Sequence, residues 1–157
     1  MAVELNPVWK EKFYIGTEYT AGSGGAEGTW TYSPLCQGIE SVEPSVNEQN
    51  QQYFFLCGHG GADNEVTGIA PEYAVSGKRV IGDEAQDYIV GLRYALGDER
   101  KSSMKVEIYN ASGTLVETIV ASCTITDIVD FGGATTDNEP FSCTLRVNGI
   151  PTVTEGT

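Results

Sequence analysis

Residues 73–97, YAVSGKRVIGDEAQDYIVGLRYALG, contain the one sharp strand-to-helix junction in this sequence. Asp83 can cap a helix by accepting hydrogen bonds from its first free amides, and Gln86 can reach back to the Asp83 amide as a variant capping box. Acidic side chains at this point also interact favourably with the positive end of the helix dipole. We therefore predict a helix over about residues 83–96, with Gly97 as its C-terminal stop.

The predicted helix has one apolar face. Its apolar residues recur at three- and four-residue spacing, as in a helix that packs on one side only. The residues of this face are Ala85, Tyr88, Ile89 and Leu92, continued by Leu96. Because the rest of the chain has strand and loop character, this face must pack against a sheet.

Strand patterns occupy much of the remaining sequence. Residues 12–19 form an aromatic strand, residues 29–39 a strand interrupted by Pro34, and residues 51–56 a further short strand. The turn sequence at residues 110–113, NASG, follows the strand at residues 104–109 and predicts a hairpin. Two later segments alternate apolar and polar residues with period two. Their apolar positions are Ile119, Ala121, Cys123, Ile125 and Val129 in the first, and Phe141, Cys143, Leu145 and Val147 in the second.

These patterns predict one mainly β domain over residues 1–157, an antiparallel β-sandwich or flattened barrel with one flanking α-helix. Segments of low apolar content surround it. We expect an N-terminal arm at residues 1–12, glycine-rich loops at residues 20–28 and 57–63, and a C-terminal tail at residues 152–157.

The charge balance excludes a class of function. Nine basic and twenty-two acidic residues give a formal net charge of −13. Such a chain repels free nucleic acid, so a DNA-wrapping protein or a transcription factor that neutralises phosphates is excluded. The N-terminal residues lack a signal-peptide pattern, and no run of apolar residues is long enough for a membrane span. We expect synthesis in the cytosol and four reduced, buried cysteines.

The sequence lacks the sets of residues that a catalytic site or a ligand site requires. The pair Cys57 and His59 offers two zinc ligand types, but a structural zinc site needs four ligands and no compact second pair exists. His59 is the only histidine, and no nucleophile motif accompanies it. The glycine-rich loops match no nucleotide-binding fingerprint. We therefore expect no catalytic residue, no metal and no cofactor, and assign the acidic cluster at residues 83–87 to helix capping.

The residues around the helix support a resemblance. Residues 76–79, SGKR, followed by residues 82–89, GDEAQDYI, resemble the tail tube (major tail) proteins of long-tailed bacteriophages. The upstream segment QGIESVEP at residues 37–44 and the turn at residues 110–113 stand in a similar order to that family. The similar layout covers residues 12–151.

The resemblance implies a structural protein of a virion tail, made in the cytoplasm of the host bacterium. Subunits of that family form hexameric rings that stack into a hollow tube, around a tape-measure protein and between tail-tip and terminator proteins. DNA would pass through the tube without specific binding, and no membrane would be involved. In such an assembly Trp9, in the N-terminal arm, is a candidate anchor on a neighbouring subunit. We also expect the arm, the two loops and the tail to be mobile in the monomer and to become ordered on stacking.

A soluble β-sandwich that binds a glycan or a protein ligand is the alternative function. Its aromatic residues could form a binding platform, although core packing and subunit contacts use the same residue types. The candidate platform residues are Trp9, Phe13, Tyr14, Trp30, Tyr32, Tyr53, Phe54 and Phe55.

Overall fold

A computed structural model describes residues 3–156 of the chain, which leaves Met1, Ala2 and Thr157 outside the described part. The described residues form nine strands and one α-helix, with short 3₁₀ turns between them. The strands are β1 Lys12–Thr20, β2 Thr29–Pro34, β3 Ile39–Ser45, β4 Gln49–Phe54, β5 Ala62–Gly68, β6 Glu72–Lys78, β7 Lys101–Tyr109, β8 Leu115–Val129 and β9 Pro140–Glu155. Helix α1 spans Glu84–Gly91, and the 3₁₀ turns are Val8–Lys10, Leu56–Gly58 and Gly97–Arg100.

Seven strands form one antiparallel sheet in the order β2-β1-β7-β8-β9-β6-β3. The sheet curves around its core, since Phe13 of β1 and Val42 of β3 line the same cavity although five places in the strand order separate β1 from β3. The predicted mainly antiparallel β-fold with one helix is therefore confirmed. Its form is an incompletely closed barrel whose edge strands are β2 and β3.

The core lies on the concave face of this sheet. Alternate residues of β7, β8 and β9 point into it, and α1 covers it by packing against β1, β2 and β8. The buried apolar residues are Ile15, Leu35, Val75, Ala85, Ile89, Met104, Val106, Ala121, Cys123, Ile125, Phe141, Cys143 and Leu145. The period-two prediction for Phe141, Cys143 and Leu145 is confirmed.

Helix α1 is shorter than the sequence predicts, because it ends at Gly91 rather than near residue 96. Glycine has low helix propensity. After it, the Arg100 guanidinium donates to the carbonyl oxygens of Arg93 at 2.6 Å and Ala95 at 2.9 Å. These contacts hold the chain in tight turns, and Leu96, predicted to extend the apolar face, is 84% exposed.

Two further expectations about the strands are wrong. Val129 does not share the buried side of β8, because a bulge between Thr126 and Val129 shifts the register; within it Asp127 has a φ of 54°. The shift turns Ile128 towards the core and Val129 towards solvent. The predicted tail from Thr152 is also a strand as far as Glu155, since it pairs with residues 117–120 of β8.

Strands β4 and β5 form a separate two-stranded ladder that continues the β3–β6 pair away from the barrel. The Ala70 amide donates to the Val46 carbonyl, and the Asn47 side chain donates to the Ala70 carbonyl, which bridges the two ladders. We call residues 46–70 the hairpin arm. Its strand β5 begins at Ala62, so the glycine-rich loop predicted for residues 57–63 is shorter than expected.

Candidate assembly surfaces

The N-terminal segment lies against the barrel at the start of β1. Trp9 is in the 3₁₀ turn Val8–Lys10 and is 78% exposed. The Lys10 ammonium lies 5.5 Å from the centroid of the Trp9 ring and also donates to the Ala111 carbonyl in the β7–β8 turn. Trp9 is thus held at the surface by its neighbours, and the predicted role as an anchor remains a prediction.

A cavity of about 670 Å³ opens beside Trp9. Its apolar wall comes from the N-terminal segment, β1, the β2–β3 connection and the first half of β3, so it lies at the open seam of the barrel. The main apolar residues of this wall are Val8, Trp9, Phe13, Leu35, Ile39 and Val42. Lys12, Glu11 and Glu40 bring charge to the rim, and Cys36 contributes an exposed thiol. We call this space the seam cavity.

The hairpin arm is exposed along its length. Every residue of β4 is exposed, and so is every residue of β5 except Gly68. Its tip carries adjacent large apolar residues, of which Phe54 is 66%, Phe55 58% and Leu56 96% exposed. Residues 13–77, which include the arm, contain no lysine or arginine. An isolated two-stranded hairpin is marginally stable in water, and exposed apolar groups often mark contact sites, so the arm is a candidate contact surface.

The two edge strands are unpaired on their outer sides within the described residues. Each contains a proline, Pro34 in β2 and Pro44 in β3, a residue that edge strands tolerate because it donates no ladder hydrogen bond. The edges are short, at six and seven residues. A free edge presents backbone donors and acceptors that a strand of another molecule can pair with.

Asp83 and Gln86 meet at the start of α1, but not as a reciprocal box. The Asp83 carboxylate accepts from the Gln86 amide at 3.1 Å, which caps the helix. The Gln86 side chain does not return to Asp83, whose own amide donates to the Val80 carbonyl at 3.5 Å. The prediction of a reciprocal capping box is therefore wrong for its Gln86 half.

Gln86 is instead a fully buried bridge between three segments. Its Nε2 donates to the carbonyl oxygens of Gln37 at 2.8 Å and Lys78 at 3.0 Å, and its Oε1 accepts from the Val80 amide at 2.8 Å. The bridge needs close approach at Gly38, whose φ is 74° and where a Cβ would lie 2.4 Å from the Lys78 carbonyl oxygen. The end of β6, the β2–β3 connection and α1 are thereby joined.

Four residues of the predicted apolar face of α1 pack against the core, but they are buried to different degrees. Ala85 and Ile89 are fully buried, whereas Tyr88 and Leu92 are partly buried and pack against the same core. Gln86 lies on this buried side although its type is polar. Sequence periodicity could not find it, because its partners lie elsewhere in the chain.

The outer face of β1 and β7 carries a polar cluster centred on Glu107. Burial acts to raise the pKa of Glu107, but hydrogen bonds from Tyr109 and Tyr14, with the nearby Lys105 and Lys12 charges, hold that pKa below its usual value. Burial and the same carboxylate raise the pKa of Tyr14 to about 12. The Lys105 ammonium also lies 4.5 Å from the Tyr14 ring centroid. This cluster joins β1 to β7 outside the core.

The four cysteines fall into two classes. Cys123 and Cys143 are buried, and burial raises the pKa of each thiol to about 12. Cys36 and Cys57 are exposed, so the expectation that all four are buried is wrong for these two. All four are free thiols.

Within residues 3–156 no three His, Cys, Asp or Glu side chains gather where they could hold a metal ion. None of the helices in this range is long and apolar enough to cross a membrane. The residues of the candidate aromatic platform do not lie together in the structure. Trp9, Phe13 and Tyr14 line the seam cavity, and Tyr14 and Tyr32 lie near Lys105. Tyr53 stacks on Phe55 in the hairpin arm, which also holds Phe54, whereas Trp30 packs on Tyr19 in the β1–β2 pair.

No protein-family model matches this chain, and no curated protein matches it either. Solved structures do. The chain is similar to a protein from the tail of an empty GTA particle determined with C6 symmetry, with a TM-score of 0.66 and 12% identity over 96% of this chain and 99% of the other.

Two components of other particles are similar as well. A sheath/tube terminator of an extracellular contractile injection system, PVC, has a TM-score of 0.62 and 16% identity over 98% of this chain and 99% of its own. The tube-terminating cap of the anti-feeding prophage has a TM-score of 0.60 and 16% identity over 99% and 95%. These neighbours are structural tube and cap proteins, not enzymes. At such identities the similarity establishes the fold, which is tail-tube-like.

Proposed function

We propose that this chain is a non-enzymatic subunit of a tail tube, which polymerises as stacked hexameric rings into a hollow conduit for DNA delivery. The observation that carries the proposal is a tail-tube-like sheet whose two edge strands, β2 and β3, have no partner within the described chain. Pairing of one subunit's β2 with the next subunit's β3 would satisfy both edges. Such a contact joins two different surfaces, and it closes into a ring when the rotation from one subunit to the next adds up to a full turn.

The fold neighbours support particular partners. The terminator and cap proteins suggest that the same fold serves along a tube and at its end. We propose that the chain assembles with itself and with terminator and tail-tip proteins, around a tape-measure protein. Its place would be the virion tail after synthesis in the cytoplasm of the host bacterium.

The outer face of β6, β9 and β8 is the candidate wall of the bore. It presents short polar side chains such as Ser122 and Thr144. Its cations are Lys78 of β6 and Arg146 of β9, and Arg146 is paired with Glu72 at 2.7 Å and with Asp127 at 3.6 Å. The pairing of Arg146 and the net charge of −13 of the chain would let DNA pass without adhering, within a screening length of about 10 Å at 0.1 M salt. A helical reconstruction should reveal a net-negative bore; a basic bore that grips DNA would contradict this part of the proposal.

Electron microscopy of the purified chain at high concentration tests assembly directly. We expect six-fold rings or tubes in negative stain. Trp9→Ala should reduce tube yield while leaving the circular dichroism melting curve of the monomer unchanged, because this exposed side chain adds little to the fold. Trp30→Ala is a contrasting control, since Trp30 packs on Tyr19 within the β1–β2 pair and its loss should affect the monomer.

A comparison of amide hydrogen exchange in the monomer and in the tube tests which segments become ordered on assembly. We propose that the N-terminal arm and the loops at residues 20–28 and 57–61 gain protection on stacking. Residues 152–155, already in β9, should be protected in both states. Equal protection of the arm and loops before and after assembly would contradict ordering on stacking.

A binding module for a glycan or protein ligand is the second candidate, and the seam cavity favours it. The volume of the seam cavity lies within the range of small-molecule sites, about 300–1,000 Å³. Under this function the chain would remain monomeric at high concentration and would bind a ligand saturably, with binding lost in Phe13→Ala. Rings or tubes that exclude ligand from the cavity would reject it.

A further inference from the structure

The hairpin arm and the seam cavity lie at opposite ends of β3. The cavity is lined by the first residues of this strand, Ile39 to Val42, whereas the arm continues beyond its last residue, Ser45. None of the tip residues Phe54, Phe55 and Leu56 lines the cavity of the same molecule, and all three are exposed. Within the described residues the apolar side chains of the tip therefore have no cover of their own.

The two surfaces match in chemistry. At the tip, Phe55 stacks on Tyr53, and Phe54 and Leu56 are further exposed apolar side chains next to it in the chain. The wall of the seam cavity is mainly apolar as well. Lys12 at the cavity rim and Lys10 beside Trp9 are cations, whereas the arm carries Glu48, Asp63 and Glu65 without a lysine or arginine. The rim carboxylates Glu11 and Glu40 reduce this complementarity, so the fit rests chiefly on apolar contact.

The area is sufficient for a specific contact. A buried aromatic side chain removes about 150–250 Å² from water, and the tip offers two phenylalanines and a leucine. The strands of the arm are exposed on both faces, so docking along them can reach the roughly 800 Å² per partner of a standard interface.

We propose that the tip of the hairpin arm in one copy of this chain occupies the seam cavity of the next copy, which places Cys57 beside Cys36. The occupant is a second copy because tip and cavity are complementary surfaces of one chain that do not meet within one molecule. The contact joins two different surfaces, so it is heterologous and propagates from copy to copy. It rests on the proposed self-assembly and names the surfaces that carry it.

The two exposed thiols provide a direct test. Cys57 follows Leu56 in the 3₁₀ turn of the tip, and Cys36 lines the cavity, while the other two thiols are buried. A short bismaleimide adds one thiol across each of its double bonds, so it joins neighbouring cysteines without an oxidant. Applied to assembled wild-type protein, it should give a ladder of covalent multimers, and peptide mapping should identify Cys36 joined to Cys57. Cys36→Ser and Cys57→Ser should each lose the ladder.

A matched pair of phenylalanines tests the apolar contact. Phe55→Asp, at the tip, should abolish the Cys36–Cys57 product and leave the melting curve unchanged, because Phe55 is 58% exposed. Phe131→Asp changes a phenylalanine that is 61% exposed and outside both surfaces, and should retain the product. Equal loss in both variants would contradict a specific role of the tip.

The outcomes separate this inference from the proposed function. Rings or tubes that yield only Cys36–Cys36 or Cys57–Cys57 products, or no product, overturn the tip-in-cavity contact and leave tube assembly intact. A chain that stays monomeric in sedimentation at all concentrations overturns both.

Discussion

The Nε2 of Gln86 donates to the carbonyl oxygen of Gln37 at 2.8 Å, across 49 positions of sequence. This contact joins the two segments on which the resemblance to tail tube proteins rests, the QGIESVEP segment and the GDEAQDYI segment. The acidic cluster at residues 83–87, assigned to helix capping from the sequence, thus surrounds a structural joint. It holds the first turn of α1 to the end of β6 and to the connection that leads into the edge strand β3.

Replacement of Gln86 by leucine should strongly destabilise the chain. The variant keeps the volume but leaves the Val80 amide and two carbonyls without their partner, at a cost of about 3 kcal/mol. Urea denaturation followed by circular dichroism measures the change. Gln52→Leu is the matched control, because the exposed Gln52 side chain donates only to Asn64 on β5. Similar free energies of unfolding for Gln86→Leu and wild type would show that the bridge contributes nothing.

Two glycines should respond to alanine with opposite sign. Gly38→Ala places a Cβ 2.4 Å from the Lys78 carbonyl oxygen at a φ of 74°, and should lower the unfolding free energy by about 2 kcal/mol or more. Gly91→Ala adds a Cβ in open space at the last residue of α1 and should raise it by about 0.5–1 kcal/mol. Thermal melting of both variants checks the pair, and a Gly38→Ala variant as stable as wild type would disprove the steric argument.

The buried thiols should make the fold sensitive to alkali. Between pH 9.0 and about 12 the unfolded chain loses thiol protons that folded Cys123 and Cys143 keep, so stability falls as pH rises through this range. Each thiol adds a slope of about 1.4 kcal/mol per pH unit. The unfolding free energy of Cys143→Ala should therefore fall less steeply with pH than that of wild type, whereas Cys57→Ala should retain the wild-type slope. Equal slopes in all three proteins would be inconsistent with protonated buried thiols.

Glu107 should contribute to stability at neutral pH and lose that contribution in acid. Its pKa is lowered in the folded chain, so the stabilisation is present above the usual value of 4.5 and disappears as pH falls through the folded pKa. Glu107→Gln should be less stable than wild type at pH 7, and the two curves of unfolding free energy should converge in acid. Glu65→Gln, an exposed carboxyl on β5, serves as control. A constant difference between Glu107→Gln and wild type across the whole range would exclude titration of Glu107 as its cause.

Local signals in the sequence predict local structure well in this chain. The cap at Asp83 and the alternation from Phe141 to Leu145 depend on neighbours within a few residues, and both patterns are evident in the sequence. Gln86 and Val129 are different. The polar side chain of Gln86 is buried because carbonyls from two other segments meet it, and Val129 turns outward because of a bulge that no residue type announces.

The assembly surfaces were harder to predict for the same reason. The residues of the hairpin arm suggest a short strand and a flexible loop, and only pairing with β5 shows that they project from the barrel. The seam cavity gathers residues from three separate segments, among them Trp9 and Val42, whose proximity depends on the curvature of the whole sheet. Trp9 itself was identifiable as a candidate, because a large aromatic residue in a terminal arm is unusual unless something covers it.

The stretch without lysine or arginine, residues 13–77, includes the whole hairpin arm, so the arm lacks the amines that other parts of the subunit carry. Trypsin has no cleavage site in the hairpin arm, and amine-reactive reagents have no lysine there to label. Lys10 and Lys12, near the cavity, offer both a cleavage site and an amine. An amine-linked gold or fluorescent tag would therefore mark the barrel of every subunit, at exposed lysines such as Lys12, Lys78 and Lys101, and would leave the hairpin arm unmarked. If subunits stack in one direction, the tags would form a periodic pattern along the tube whose asymmetry reports the polarity of the whole particle.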